Sequence, residues 1–345
     1  MTKVDLHVHS KYSDDPSEWM LQKMGMQESY TELDELYQKA KVQGMDYVTL
    51  TDHNTVDGAL KLKSMYPHDT FTGVEVTTGF PEDNCKIHFL VWDIAQEQWT
   101  DINRIRHDIY QLWDYVHKFN IPHSVAHATY AVNGKLSIDV LEKLILMFDV
   151  FEGINGARNG YFNQNWTKGL SMLQPKDIDR LYKKHGIEPV SQDPWVKGFT
   201  GGSDDHAGLF IGRTWTTSEA RTKEEFIESI RNKQVLAAGR SNNYKCMAFM
   251  FYKIHNDFMN EAPNNKPNHV LSTIHNIIFK NRGPSFKAAY ALQKMKLSKK
   301  HRNRILAHFI ERLDSDLVKL VDLPIEDKVE LIYKNLSLLG DDFIK

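Results

Sequence analysis

Strands alternating with helices up to about residue 235 predict an α/β fold with a mainly parallel sheet. Polar residues gathered at the ends of those strands favour closure of the sheet into a barrel. A third observation bounds the domain: beyond about residue 240 the strand pattern stops and only helix-period segments follow.

The first strand is read at 3–9, where Val4, Leu6 and Val8 alternate with Asp5, His7 and His9. A helix at 32–43 opens on Thr31 and Asp34 in a capping-box-like pattern and stops at Gly44. Apolar runs at 46–51, 71–76 and 87–92 give the next three strands. The last two of these are joined by Gly79-Phe80-Pro81-Glu82-Asp83-Asn84, turn residues without a helix signal, so they are expected to be antiparallel neighbours. Ile102, Ile105, Ile109, Leu112, Trp113 and Val116 predict one helix over 101–119. Strands follow at 122–127, 149–154 and 198–203, and helices at 138–147, 175–185 and 222–232. Pro175 suits a first helical position, and Gly186 a left-handed stop. Past Pro263-Asn264-Asn265 and Pro267, helices are expected near 268–280, 285–297, 301–312 and 325–338. The chain thus divides into 1–240, the α/β domain, and 241–345, a helical C-terminal region.

Composition narrows the function classes. Of the 345 residues, 41% are hydrophobic and 26% charged, an ordinary globular balance. The net charge of -2 gives no global field for nucleic acid or acidic lipid. From Lys280 to Arg304 there are nine Lys or Arg and no acid, yet a solvated helix face is favoured there over a nucleic-acid surface. Two cysteines, Cys85 and Cys246, exclude a disulfide framework and fit a reducing compartment. No signal-peptide pattern and no membrane-length apolar run is read, so a cytoplasmic protein is expected.

The sixteen histidines are where chemistry enters. His7 and His9 share one face of the first strand. Two imidazoles so placed start a metal site, though alone they also fit a surface or core pair. Asp52 and His53 follow the second strand, where barrels deliver catalytic groups. Glu75 sits inside an apolar strand, and an unpaired carboxylate buried there would cost several kcal/mol. The antiparallel turn brings His88 towards it. His127 ends the strand at 122–127, and Asp204 and His206 follow the last strand at a spacing that points both into one site. Asp14 lies in the loop after the first strand.

In order and local wording these residues resemble the PHP (polymerase and histidinol phosphatase) family of phosphoesterases over roughly residues 1–240. The matching phrases are Asp5-Leu6-His7-Val8-His9-Ser10, Ser13-Asp14, Leu50-Thr51-Asp52-His53, Gly73-Val74-Glu75, Ile87-His88-Phe89-Leu90, Ala126-His127 and Gly202-Ser203-Asp204-Asp205-His206. Ser17-Glu18-Trp19, Glu75-Val76-Thr77-Thr78 and Gly153-Ile154-Asn155-Gly156-Ala157-Arg158 resemble PHP modules often fused to glycosyltransferases. The resemblance implies a distorted (β/α)7 barrel holding three divalent metal ions. One would take His7, His9, Glu75 and Asp204; a second Glu75, His88 and His127; a third Asp14, His53 and His206. Mixed nitrogen and oxygen donors suit manganese, iron or zinc.

The expected activity is metal-dependent phosphoester hydrolysis by a metal-activated hydroxide, on a small phosphorylated substrate such as a nucleotide or sugar phosphate. Arg158 and Arg213 are the expected phosphate-binding residues, since a guanidinium fork matches phosphate. His206 or Asp52 is the expected donor of a proton to the leaving oxygen. An amidohydrolase-like C–N hydrolase is the competing enzyme class, and it lacks an obvious bridging lysine. A non-catalytic module regulating a partner is the third reading, disfavoured by the intact ligand set.

Overall fold

The computed structural model describes residues 1–13, 26–242 and 244–261. Asp14, Ser17-Glu18-Trp19, the expected helices beyond 268 and the basic stretch lie outside the described residues. Residues 1–254 belong to one compact unit.

Eight strands form two sheets. The larger has the order β2 (Gly73–Phe80), β3 (Cys85–Trp92), β4 (His123–Val125), β5 (Val150–Asn155) and β6 (Gly198–Gly202). The expected β2–β3 hairpin is antiparallel, with Thr77 opposite His88 and Phe80 opposite Cys85. The β3–β4 pair is also antiparallel, and only β4–β5 and β5–β6 are parallel. The sheet is therefore mixed, not mainly parallel. The smaller sheet, β1 (Thr2–Val4), β7 (Thr214–Ser218) and β8 (Leu236–Gly239), is antiparallel throughout.

The expected closed barrel is not formed as one continuous sheet. Two of its strands, 3–9 and 46–51, are interrupted because side chains take backbone partners that a ladder would use. Asp5 accepts the His7 N–H, Thr51 Oγ1 the Val8 N–H, and Asp52 the Ser10 N–H. Backbone bonds still cross these segments. Thr51 N donates to Val8 O at 2.9 Å, Asp204 N to His7 O at 2.6 Å, and Glu75 N to Asp52 O at 3.3 Å.

Nine helices are described: α1 (Leu33–Val42), α2 (Asp57–Met65), α3 (Gln96–Ile105), α4 (Ile109–Lys118), α5 (Ile138–Met147), α6 (Gly160–Ser171), α7 (Pro175–His185), α8 (Lys223–Arg231) and α9 (Tyr244–Glu261). The bounds of α5 and α7 are those read from sequence, and α7 ends at Gly186 with φ 67°. The expected helix 101–119 is two, because Asp108 accepts the Tyr110 and Gln111 N–H groups and starts α4. The capping pair expected at α1 does not form, since Glu32 precedes the helix without a side-chain cap. Among the described residues no helix is long and apolar enough to cross a membrane.

One apolar cluster joins Val4, Leu6, Phe71, Leu90, Trp92 and Val150 to Phe226, Ile227 and Ile230 of α8. Each of these α8 side chains contributes at most about 1.5–3 kcal/mol by leaving water. Trp92 satisfies its indole N–H on Leu6 O at 3.1 Å. This plug leaves the other end of the strands to polar residues.

Candidate metal centre

Strand ends bring six imidazoles, His7, His9, His53, His88, His127 and His206, around the carboxylates Glu28, Glu75, Glu152 and Asp204. His7 and His9 follow β1, His127 follows β4, and Asp204 and His206 follow β6. Glu75 lies within β2 and His88 within β3, so the antiparallel pairing sets their contact: His88 Nδ1 is 2.8 Å from Glu75 Oε1. His127 Nε2 is 3.1 Å from the same oxygen.

Glu75 is fully buried and its two oxygens divide the cluster. Oε2 lies 3.1 Å from His7 Nε2, 3.2 Å from His9 Nε2 and 3.2 Å from His53 Nδ1. It hydrogen-bonds to none of them, and those three nitrogens likewise have no hydrogen-bond partner. Both nitrogens of His88 and Nε2 of His206 are also buried without one. Such groups cost about 1–3 kcal/mol each when left unmade. With metal–ligand bonds of about 2.0–2.2 Å, neighbouring ligand atoms on one ion lie about 3.0–3.6 Å apart. These separations fit donors converging on cations.

The donor sets agree. Side-chain donors of His7, His9 and Glu75 lie within 4.8 Å of one another, as do those of His7, His127 and Asp204, of His53, Glu75 and His88, and of His9, His53 and His206. The residues expected at the first two metal positions are therefore together. Of the third set, His53 and His206 are together and Asp14 lies outside the described residues.

Electrostatics follows from burial against opposite charge. Burial alone would lower the His7 and His9 pKa values, but the Asp204 and Glu75 carboxylates outweigh it. His9 rises to about 9, and His7 is held well above its ordinary value with Glu152 adding to the effect. Burial would raise the Glu75 and Asp204 carboxyls, yet the surrounding imidazoles hold both well below the ordinary range. Burial dominates at His88 and His206 and lowers both to about 4.

The backbone is strained where it delivers ligands. His127 has φ 24° and Asp204 φ 49°, conformations that cost about 1–3 kcal/mol and cluster at functional sites. Each is tied down: His127 N donates to Glu152 Oε2 at 2.8 Å, and Asp204 N to His7 O. Asp5 gathers the neighbouring loops by accepting the N–H groups of His7, Ser203 and Gly212. Gly202 is required by proximity, because a Cβ there would lie 2.2 Å from His7 Cβ.

Two carboxylates are absent from the sequence-derived set. Glu152 accepts the His7 Nδ1–H at 2.9 Å and fixes that ring with Nε2 towards Glu75. A register irregularity in β5 between Glu152 and Ile154 accompanies this placement. Its signal was present: a glutamate inside the apolar strand Val150-Phe151-Glu152, the same anomaly as Glu75. Glu28 contacts His53 and His206 from a loop with no periodic signal.

The expected phosphate-binding arginines separate. Arg158 lies over the Tyr130 ring at 3.7 Å, with Nε 3.8 Å from Asp204 Oδ2. Arg213 donates to Asn242 Oδ1 at 3.1 Å and packs over Phe210. Asp52 accepts from Ser10 N and Ser10 Oγ, and burial lifts its carboxyl to about 6.

No family model matches the chain. An uncharacterized protein of Methanocaldococcus jannaschii is 36% identical over 77 residues, 22% of this chain and 42% of that protein. The match therefore spans less than half of that relative. PsfC from Pseudomonas syringae aligns with a TM-score of 0.45 at 13% identity, over 74% of this chain and 98% of that one. A candidate metal-dependent phosphoesterase from Bifidobacterium adolescentis gives 0.38 at 14% identity, over 70% and 98%. An amidohydrolase from Chromobacterium violaceum with bound sulfate gives 0.38 at 14%, over 68% and 97%. Likeness at this level does not establish a common fold, so function is read from the site.

Proposed function

We propose that this chain is a metal-dependent phosphoester hydrolase, a phosphomonoesterase before a diesterase, of the kind its PHP-like motifs imply. The carrying observation is Glu75 Oε2, buried among three imidazole nitrogens without a hydrogen bond. His7, His9, Glu75 and Asp204 would hold one divalent ion, and Glu75, His88 and His127 a second. His53 and His206 would contribute to a third. Bound there, divalent ions supply an acidified water and charge neutralisation for phosphoryl oxygens.

The chain's own groups prepare that chemistry. Arg158 offers its guanidinium to an anionic substrate, with Tyr130 supporting one face and Asp204 beside Nε. Glu152 orients His7, and Asp5 and Asp52 organise the loops that carry the ligands. Asp52 and His206 stay the proposed proton carriers for the leaving group, with Asp52 held by Ser10. Backbone bonds from 6–9 to β6 and from 48–54 to β2 support a ring closed in the manner of a distorted (β/α)7 barrel. A separate helical region from about 241 onwards belongs to the same reading.

One observation weighs against C–N hydrolysis. Lys197 is the one buried lysine among the described residues, and it precedes β6 at the opposite end from Asp204. There it donates to Ile145 O and Phe148 O, capping α5. The test is phosphate release from a panel of small phosphomonoesters and diesters by Mn²⁺-loaded protein. Release should vanish on chelation and in His9→Ala. Activity that survives both refutes the proposal.

A further inference from the structure

Glu28 is 3% exposed, and its main chain is anchored by Glu28 N donating to Ser13 O at 3.2 Å. The loop that carries it therefore returns beside the segment following His9. Its carboxylate reaches two different histidines, one through each oxygen. Oε2 is 3.1 Å from His53 Nε2, and Oε1 is 3.6 Å from His206 Nε2.

The second separation exceeds hydrogen-bond length, and His206 Nε2 is buried with no hydrogen-bond partner. Both separations fall in the interval of about 3.0–3.6 Å expected for two ligands of one ion. His53 uses its other nitrogen, Nδ1, towards Glu75, so Nε2 is the atom directed to this side of the cluster. Donors of His9, His53 and His206 already lie within 4.8 Å of one another. The set then comprises two imidazole nitrogens and a carboxylate, a combination suited to manganese, iron or zinc.

We propose that Glu28 is a ligand of the third metal position, together with His53 Nε2 and His206 Nε2. This rests on the metal-centre reading above. It gives that position a buried anionic donor from a loop that the motif set does not include.

The test counts metal instead of turnover. Chelator-stripped full-length protein is titrated with Mn²⁺, the free ion is read by electron paramagnetic resonance, and bound metal is measured by elemental analysis after desalting. Glu28→Gln should bind one equivalent fewer than wild type, or bind that equivalent at least about 10-fold more weakly. His206→Gln should lose the same equivalent, and the double variant should lose no other. Glu28→Asp should keep the count with weakened affinity at one position only. Wild-type count and affinity in Glu28→Gln overturn the assignment while leaving the metal centre standing. Absence of Mn²⁺ binding by the wild type overturns both. If circular dichroism shows Glu28→Gln unfolded, Glu28→Asp carries the test, and unchanged affinity at every position refutes it.

Discussion

Replacing Glu152 by glutamine changes one oxygen to nitrogen and should reverse the His7 tautomer. Glu152 Oε2 accepts two N–H groups, from His127 N and Asn155 Nδ2, both at 2.8 Å. The introduced amide must keep its oxygen on that side, because an NH2 group there would face two donors. Its NH2 then faces His7 Nδ1 at the position where Oε1 now stands at 2.9 Å. Nδ1 must become an acceptor, and the ring proton moves to Nε2, the nitrogen 3.1 Å from Glu75 and 3.4 Å from Asp204. A protonated Nε2 cannot ligate. Loss of such a histidine–carboxylate contact weakens metal affinity roughly 10- to 100-fold, about 1.4–2.7 kcal/mol. Calorimetric titration of Mn²⁺ into stripped protein reads this directly, and a thermal melt checks that the variant folds. Wild-type affinity in folded Glu152→Gln would show that Glu152 does not set the His7 ring, and the tautomer reasoning would fall.

Two further outcomes are expected. Gly202→Ala places a Cβ 2.2 Å from His7 Cβ and 2.5 Å from His7 N, so urea unfolding should show a loss of about 1–3 kcal/mol or more, with reduced metal binding; a midpoint equal to wild type would contradict the close approach. The metal-free protein should lose stability as pH rises. His9 has an ordinary pKa of 6.5 and a folded value of about 9, so the folded state binds more protons between those values. The stabilisation is complete below about 6.5 and is lost as pH passes about 9, on the order of 3 kcal/mol in all. Melting of chelated protein across that range should show the decline, and Mn²⁺ should flatten it. A flat metal-free profile would count against the charged His9.

The nine candidate ligands were readable because burying an imidazole or carboxylate at the end of an apolar strand needs a partner, and strand periodicity shows which positions those are. Eight of the nine lie among the described residues, and short separations link them around Glu75 and Asp204. The β2–β3 hairpin was readable for a related reason, since a connection of turn residues leaves no room for a crossover helix.

Other features depended on tertiary contacts. Helix α6 contains Gly160, Asn163, Asn165, Thr167 and Gly169, weak helix formers that gave no pattern. It is held by Asn163 Nδ2 donating to Asn155 O and Thr167 Oγ1 to Gly153 O. Strands β7 and β8 are short, and β1 pairs with β7 across more than two hundred residues of chain. The interruption of the 3–9 and 46–51 strands came from Asp5, Thr51 and Asp52 taking backbone donors.

Local alternation, turn chemistry and the cost of buried charge thus determined from sequence alone that this chain is α/β and which residues meet at its polar end. Only the tertiary structure decided how the strands divide into sheets, which arginine faces the cluster, and that Glu28 and Glu152 join it. Those outcomes depend on which distant groups compete for the same hydrogen bond or the same few ångströms, and spacing along the chain does not encode that competition.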